Sequence, residues 1–509
     1  MSRTTTFQQR AGATFRALIN DLKRNEAAAA SELGVDESVV LGILAGERPV
    51  TRDIIEKAVA IWPVNERDFF PIHDDAPDGL RVMRKAESVA SRRVFQRGGA
   101  DFYEYRDTAM SRLVMIRPEW IKMLHVVTDN DPENPTVRWN NGHFLYQFTY
   151  FIGAVNYYYE WNGRKFCAPM ATGDSVFGLP FAKHSFASRD PTSPGRILAL
   201  TYGGRLSGDA QHELGALGEE AARQYVLPLN DAARAQSALL RLHAANGSYS
   251  TGQLAAASGV GRDRLERALD GEETLDTEAL EALADALRVP VRELVPAALD
   301  TTDGVVIVPG ERAPAWLLPG AGRPAYRVKE LAGSRVTPYA KSLELEVLPD
   351  PVDRYCLTTG LHEYGYNHGP APVTLGWECD GSAHRTVLEP EDSFYIKPHV
   401  PHWFTAPARS DPDAAPRVLL LRVGGKIAGD TALEASIIGR DAISRVAFET
   451  TCWYDRGRRA GPEDAATSPG RTGSSPERNA SDGVPAPPRF PPVGNARLNE
   501  ERPARAGPT

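Results

Sequence analysis

Residues 27–71, AAAASELGVDESVVLGILAGERPVTRDIIEKAVAIWPVNERDFFP, are answered by residues 252–296, GQLAAASGVGRDRLERALDGEETLDTEALEALADALRVPVRELVP. Gly34 and Gly46 stand 12 positions apart, as do Gly259 and Gly271; Gly34 and Pro71 stand 37 apart, as do Gly259 and Pro296. Spacings kept over such lengths mark one structural unit used twice. In each copy an Ala-rich helix runs to a Gly suited to a left-handed cap. A short turn follows, and then a second helix with apolar residues at helical spacing. These are Val39, Val40, Ile43 and Leu44 in one copy, and Leu265, Ala268 and Leu269 in the other.

This pattern resembles the helix-turn-helix of the phage-repressor type, set in a bundle of four or five short helices. Each bundle is followed by a strand-rich stretch. HFLYQFTYFIGAVNYYYEW (143–161) and GRILALTYG (195–203) stand out in the first, SLELEVL (342–348) and RVLLLRV (417–423) in the second. β-Branched and aromatic runs between Gly/Pro turns read as strands. Both stretches carry a matching turn-strand-turn, GDSVFGLPFAKHSF (173–186) and EDSFYIKPHVPHWF (391–404), with Asp and His ten positions apart. Such a His after a Pro turn resembles the cupin, a jelly-roll β-barrel. The expected fold class is α+β, a tandem repeat of a helix-turn-helix domain (1–95, 206–300) and a cupin (96–205, 301–449). Residues 455–509 are rich in Pro, Gly and Ser, lack periodicity and read as a disordered tail.

The 509 residues carry 58 Lys and Arg against 66 Asp and Glu, a formal charge of −8. That balance excludes a general coat for a phosphate backbone while leaving room for a local anion site. No apolar run approaches a membrane span, the first residues lack a signal core, and four scattered cysteines form no Cys-x-x-Cys pair. The reading is a reduced, cytoplasmic protein with no membrane association; a homo-oligomer stays open.

His143 and Gln147, in RWNNGHFLYQFTYF, are four apart. That spacing suits one helix face, but the aromatic, β-branched surroundings favour a strand, in which a bend must bring the two together. His184 follows 41 residues on, where a neighbouring strand can present it. Two imidazoles and one oxygen donor leave coordination positions open, as non-haem Fe(II) oxygenases require. The bland reading makes Gln147 a buried amide and the histidines core residues. The second strand-rich stretch offers His362 and His402, with Tyr366 at the place of Gln147 and Ile396 at that of Gly178. It reads as a structural pseudo-site.

The doubled plan together with RWNNGHFLYQFTYF resembles the iron-dependent phosphonate dioxygenases over about residues 10–430. That family includes 2-hydroxyethylphosphonate dioxygenase and methylphosphonate synthase, with hydroxypropylphosphonate epoxidase as a more distant relative. The resemblance implies Fe(II) held by His143, Gln147 and His184, the ligand pattern of the synthase. The dioxygenase's Glu, six residues before the second His, would fall at Gly178 and is absent. Phosphonate binding is implied for Arg97 and Tyr105 (eight apart), Asn140 (three before His143) and Lys23 of the first helical unit, with Lys23 and Tyr105 also close to the chemistry. Arg supplies a planar fork and Lys a point charge for such an anion. Lys183 and Thr201 are further candidates at the pocket.

The implied substrates are 2-hydroxyethylphosphonate and O2, with the C–C bond broken to give methylphosphonate and CO2/bicarbonate. The dioxygenase outcome, hydroxymethylphosphonate and formate, is the alternative. The resemblance also implies that the substrate supplies the electrons, and the chain shows no P-loop or dinucleotide-binding glycine motif. A helix-turn-helix/cupin transcription regulator is the non-enzyme alternative. Against it, residues 36–46 contain no Lys or Arg, and Arg262, Arg264 and Arg267 are interleaved with Asp263, Glu266 and Asp270. Nucleic acid is therefore not an expected partner.

Overall fold

Side-chain caps start the first helices where the sequence offers them. In the computed structural model, which describes residues 6–349, 355–406 and 415–448, helices span Phe7–Asp21, Glu26–Leu33, Glu37–Leu44 and Arg52–Ile61, closed by a 3-10 turn at Glu66–Phe69. Thr6 and Gln9 form a reciprocal capping box, Asn25 accepts from the Ala28 N–H, and Asp36 accepts from the Ser38 N–H. Gly34 ends the second helix at φ 62°, a conformation that costs a residue without Cβ least. The inward faces bury Phe15, Ile19, Leu33, Ile43 and Trp62 together. A second cluster, Ala232–Asn246, Thr251–Ser258, Arg262–Leu269, Thr277–Leu287 and Val291–Leu294, repeats this order and again has a left-handed Gly, Gly259 at φ 73°. The tail expected at 455–509 lies outside the described residues.

The strands form two antiparallel sandwiches. Within the first large sheet, Tyr146–Ile152 lies between Ser175–Gly178 and Arg196–Tyr202, and beyond the latter come Ile116–Met123, Ala100–Asp107 and Arg93–Arg97. A three-stranded sheet, Arg164–Met170, Val155–Trp161 and Lys183–Ser188, covers one face. Phe102, Ile121, Phe151, Tyr157, Phe186 and Ile197 fill the space between them. The second half repeats the plan, with His362–Asn367 between Ser393–Ile396 and Arg417–Val423. Side chains alternate across each strand. Ile197 and Ala199 therefore enter the first sandwich, while Leu198 and Leu200 turn outward. Those outward faces meet: Trp120, Phe148, Tyr150 and Leu200 share one buried seam with Tyr364, Leu419 and Leu421.

The sheets also exchange strands. Leu80–Met83 pairs with Ser393–Ile396 (Leu80 opposite Ile396) and forms the edge of the second large sheet. Val305–Val308 pairs with Ser175–Gly178 (Val305 opposite Gly178) and forms the edge of the first. Each arrival is pinned by the Asp of the matching turns. Asp392 accepts from the Lys85 N–H at 2.8 Å and from Arg84 Nη1 at 2.8 Å. Asp174 accepts from the Gly310 N–H at 2.8 Å. The expected boundaries at 95/96 and 300/301 thus do not separate the sheets: residues 80–83 leave the first helical unit for the far sandwich, and residues 305–308 cross the other way. The reason is that an unpaired edge strand leaves backbone groups open, and each half closes the other's.

Asp392→Ala removes the acceptor for Lys85 N, Arg84 and Glu389 N at a position only 2% exposed. It should destabilise the protein by about 2–4 kcal/mol, read as a lowered denaturant midpoint, with Arg84→Ala adding little on top.

Candidate metal centre

His143 stands just before the strand Tyr146–Ile152, in a bend rather than on a helix or a continuous strand. Gly142, at φ 72°, makes that bend, and a Cβ there would fall 2.4 Å from the Phe181 carbonyl oxygen. The bend allows His143 Nδ1 to donate to the Leu145 carbonyl at 2.9 Å. It also sets Nε2 2.8 Å from Gln147 Oε1, while Gln147 Nε2 donates to Thr149 Oγ1 at 2.8 Å. His184 opens the strand Lys183–Ser188 of the covering sheet, and its Nδ1 donates to the Ala182 carbonyl at 2.9 Å. The two imidazole centroids are 5.2 Å apart and nearly perpendicular.

A carbonyl oxygen only accepts, so each ring carries a proton on Nδ1 and points Nε2 into the cavity, where its neutral form offers a lone pair. Burial pushes His184 down to about 4, which keeps that lone pair available at neutral pH. In that neutral form His143 Nε2 and Gln147 Oε1, 2.8 Å apart, are two acceptors facing one another. A cation resolves this contact: ligands about 2.1 Å from an ion and at right angles lie about 3 Å apart. Among the described residues no group of three His, Cys, Asp or Glu could hold a metal. The donor set that fits one here is two imidazoles and the Gln147 amide oxygen.

Of the residues expected at the site, Arg97, Tyr105, Asn140, His143, Gln147 and His184 line one cavity of about 260 Å³. Asn140 Nδ2 donates to His184 Nε2 at 2.9 Å, and Asn140 Oδ1 accepts from the His184 N–H at 2.8 Å. Arg97 lies over the Tyr103 ring and donates through Nη1 to the Arg138 carbonyl at 2.7 Å. Burial, together with Tyr103 and Glu119 nearby, raises the Tyr105 phenol well above its ordinary value, so it remains a donor. Thr201 reaches the cavity; Lys183 turns away to Glu160 at 2.8 Å. Lys23 does not line it: at a positive φ of 58°, it holds its ammonium 2.6 Å from the Asp21 carbonyl. Gly178 pairs with Gln147, and a Cβ on it would meet nothing nearer than Tyr157 Oη at 3.9 Å. Sequence reasoning missed Glu119 and Tyr103. The available signal was parity, since Glu119 lies two residues before Ile121 and Tyr103 two before Tyr105.

The second sandwich corrects the expected correspondence. Gln147 pairs with Thr201 and Gly178; the residue pairing with Arg422 and Ile396 is Glu363, not Tyr366. His362 faces the seam, with Nδ1 2.6 Å from Tyr395 Oη, and does not meet His402. Instead, His402 Nε2 lies 2.9 Å from Glu363 Oε1, and Arg422 Nε donates to Glu363 Oε2. Burial alone would raise Glu363, but Arg422 and His402 hold it down at about 2. A guanidinium thus supplies the positive charge here.

No family model matches the chain. A curated methylphosphonate synthase from Nitrosopumilus maritimus (strain SCM1) is 40% identical over 448 residues, 88% of this chain and 96% of that protein. The chain belongs to the methylphosphonate synthase and 2-hydroxyethylphosphonate dioxygenase family. A solved structure of this family, the Streptomyces albus dioxygenase with 2-hydroxyethylphosphonate and Fe(II) bound, is 44% identical. Its TM-score is 0.83, over 88% of this chain and 99% of that one. A further 2-hydroxyethylphosphonate dioxygenase, 21% identical over 83% of this chain and 97% of its own, shares the fold at a TM-score of 0.66.

Burial holds both His184 and His362 at about 4 in the folded chain, against about 6.5 when unfolded. The unfolded state then binds more protons between those values, and stability falls as pH drops from about 6.5 to 4. The expected slope for the metal-free protein is about 1.4 kcal/mol per pH unit for each histidine, measurable by urea titration. His362→Asn should remove about half of it.

Proposed function

We propose that the protein cleaves the C–C bond of 2-hydroxyethylphosphonate with Fe(II) and O2, giving methylphosphonate and CO2/bicarbonate. The observation that carries this reading is the facing pair His143 Nε2 and Gln147 Oε1, 2.8 Å apart, in a chain 40% identical to a methylphosphonate synthase. His143, Gln147 and His184 hold the metal. When bound, the iron supplies the one-electron chemistry that couples O2 reduction to substrate oxidation.

The chain's own residues bind and orient the substrate. Arg97 keeps N–H groups beyond the one given to Arg138, and a guanidinium fork suits a phosphonate. Tyr105 donates its phenol hydrogen to the same anion. Once the His184 lone pair is engaged by metal, the Asn140 amide N–H that now faces it turns to the phosphonate. Lys23 serves as a mobile cation, reaching the cavity by a shift of its helical unit or from a second copy. The helical clusters, read as helix-turn-helix domains, act as scaffold beside two cupins in the order proposed from the sequence. In the second of them Arg262 pairs with Glu266, Arg264 with Glu273 and Asp276, and Arg267 with Glu273, which leaves little uncancelled charge for DNA. No helix among the described residues is long and apolar enough to cross a membrane; a cytoplasmic location is our reading of the uncoupled cysteines Cys167, Cys356 and Cys379.

A second reading, the dioxygenase outcome with hydroxymethylphosphonate and formate, is favoured by the 44% identity to the Streptomyces albus dioxygenase. Fe(II)-loaded protein given 2-hydroxyethylphosphonate and O2 should show methylphosphonate by phosphorus NMR. Hydroxymethylphosphonate would establish the second reading, and unchanged substrate would overturn both. Gln147→Ala should lower turnover at least 100-fold and His362→Ala less than threefold; equal losses would contradict a single site in the first sandwich.

A further inference from the structure

The cavity contains one acidic side chain among its lining residues, Glu119, which has no part in holding the metal or the phosphonate. It sits on the strand Ile116–Met123, directed into the sandwich like Ile121. Its Oε1 accepts from Arg93 Nη2 at 2.9 Å, and Arg93 Nη1 donates to Asp107 Oδ1 at 2.7 Å. Asp107 is also the residue paired with Glu119 across the two strands. Two carboxylates share one guanidinium, so with both ionised the group carries a net charge of −1.

The cation for a phosphonate lies elsewhere along the same strands. Arg97 stacks over Tyr103, whose partner is Met123, whereas Asp107 faces Glu119. Those two pairs are four residues apart, roughly 13 Å along an extended strand. The cavity is therefore polarised, with a guanidinium and the Asn140 amide toward one end and an anionic wall toward the other. The three metal donors are neutral, so an ion of charge +2, a phosphonate dianion and Arg97 leave one positive charge, which the Glu119 group cancels; a second anionic group on the ligand is then uncompensated. A ligand bound through its phosphonate extends its other end toward the anionic wall. A hydroxyl or methyl group there meets no charge opposition; a carboxylate meets that of Glu119 in partly desolvated surroundings, where repulsion is strongest. Burial, with the Asp107 carboxylate adding to it, raises Glu119 above its ordinary value, and Arg93 opposes that rise through its hydrogen bond.

We propose that Glu119, held by Arg93 beside Asp107, is a specificity residue that rejects phosphonates carrying a second anionic group. This rests on the phosphonate reading of the site. The test is calorimetric titration of the Fe(II)-loaded full-length protein under argon with ethylphosphonate and with phosphonoacetate, taking the ratio of their Kd values. Glu119→Gln keeps an oxygen for Arg93 but loses the charge, and the phosphonoacetate/ethylphosphonate ratio should fall about tenfold. Glu119→Asp keeps the charge and should keep the wild-type ratio. A fall of less than threefold in Glu119→Gln, or an equal fall in Glu119→Asp, overturns the assignment of selectivity to this charge. Failure of the wild-type protein to bind either ligand would overturn the phosphonate reading itself, whatever the variants do.

Discussion

Backbone groups at a sheet edge must be paired, and in this protein each large sheet obtains its last strand from the other half of the chain. Val305–Val308 closes the sheet that contains Gln147, and Leu80–Met83 closes its counterpart. The consequence reaches the metal centre in two steps. Val305 pairs with Gly178, and Gly178 pairs with Gln147, so the strand next to the one carrying the amide donor is paired on both sides only when the second half is in place. Asp174 and Asp392 pin the crossing segments. The seam of outward-facing aromatic and aliphatic residues, including Tyr150 and Tyr364, binds the two sheets face to face. The second half therefore supports the sheet that carries Gln147, while in its own sandwich the matching carboxylate, Glu363, is paired with Arg422 and His402.

The two sandwiches show how the same scaffold reaches opposite electrostatic solutions. In the first, the Nε2 atoms of His143 and His184 and the amide oxygen of Gln147 converge without a carboxylate among them, a set that gains by accepting a cation. In the second, a buried carboxylate stands at the matching place, and a buried charge is tolerated only with partners. Arg422 and His402 provide them. Arg422 occupies the position of Thr201, which in the first sandwich leaves the cavity open. Three differences across equivalent positions, Glu363 for Gln147, Arg422 for Thr201 and Ile396 for Gly178, thus separate a centre suited to metal from an internal salt bridge.

Much of this was readable from residue order. The repeat located both helical clusters, and the aromatic run with its Gly-Pro turns located the sheets. That His143, Gln147 and His184 line one cavity accords with the grouping expected from spacing combined with family resemblance. The correspondence of the halves was not readable at His362, because counting at a constant offset assumes equal bends before the two strands. His143 precedes its strand, whereas His362 begins its own and turns toward the seam. Glu119 escaped notice for a related reason. A single acidic residue in a strand looks like solvent-facing alternation until the register shows which face is inside.

The sequence by itself determined the helix ends, through short-range caps such as Thr6, Asn25 and Gly34, and the alternation of buried and exposed strand positions. Both depend on neighbours a few residues away, and so survive in any tertiary arrangement that keeps the elements. Only the tertiary structure decided which strand closes which sheet, that Lys23 stands outside the cavity, and that Glu363 rather than Tyr366 answers Gln147. The first and last of these depend on pairings between residues 31 to 316 positions apart. Such pairings are selected by burial and backbone hydrogen bonding over the whole molecule, and no local pattern encodes that selection.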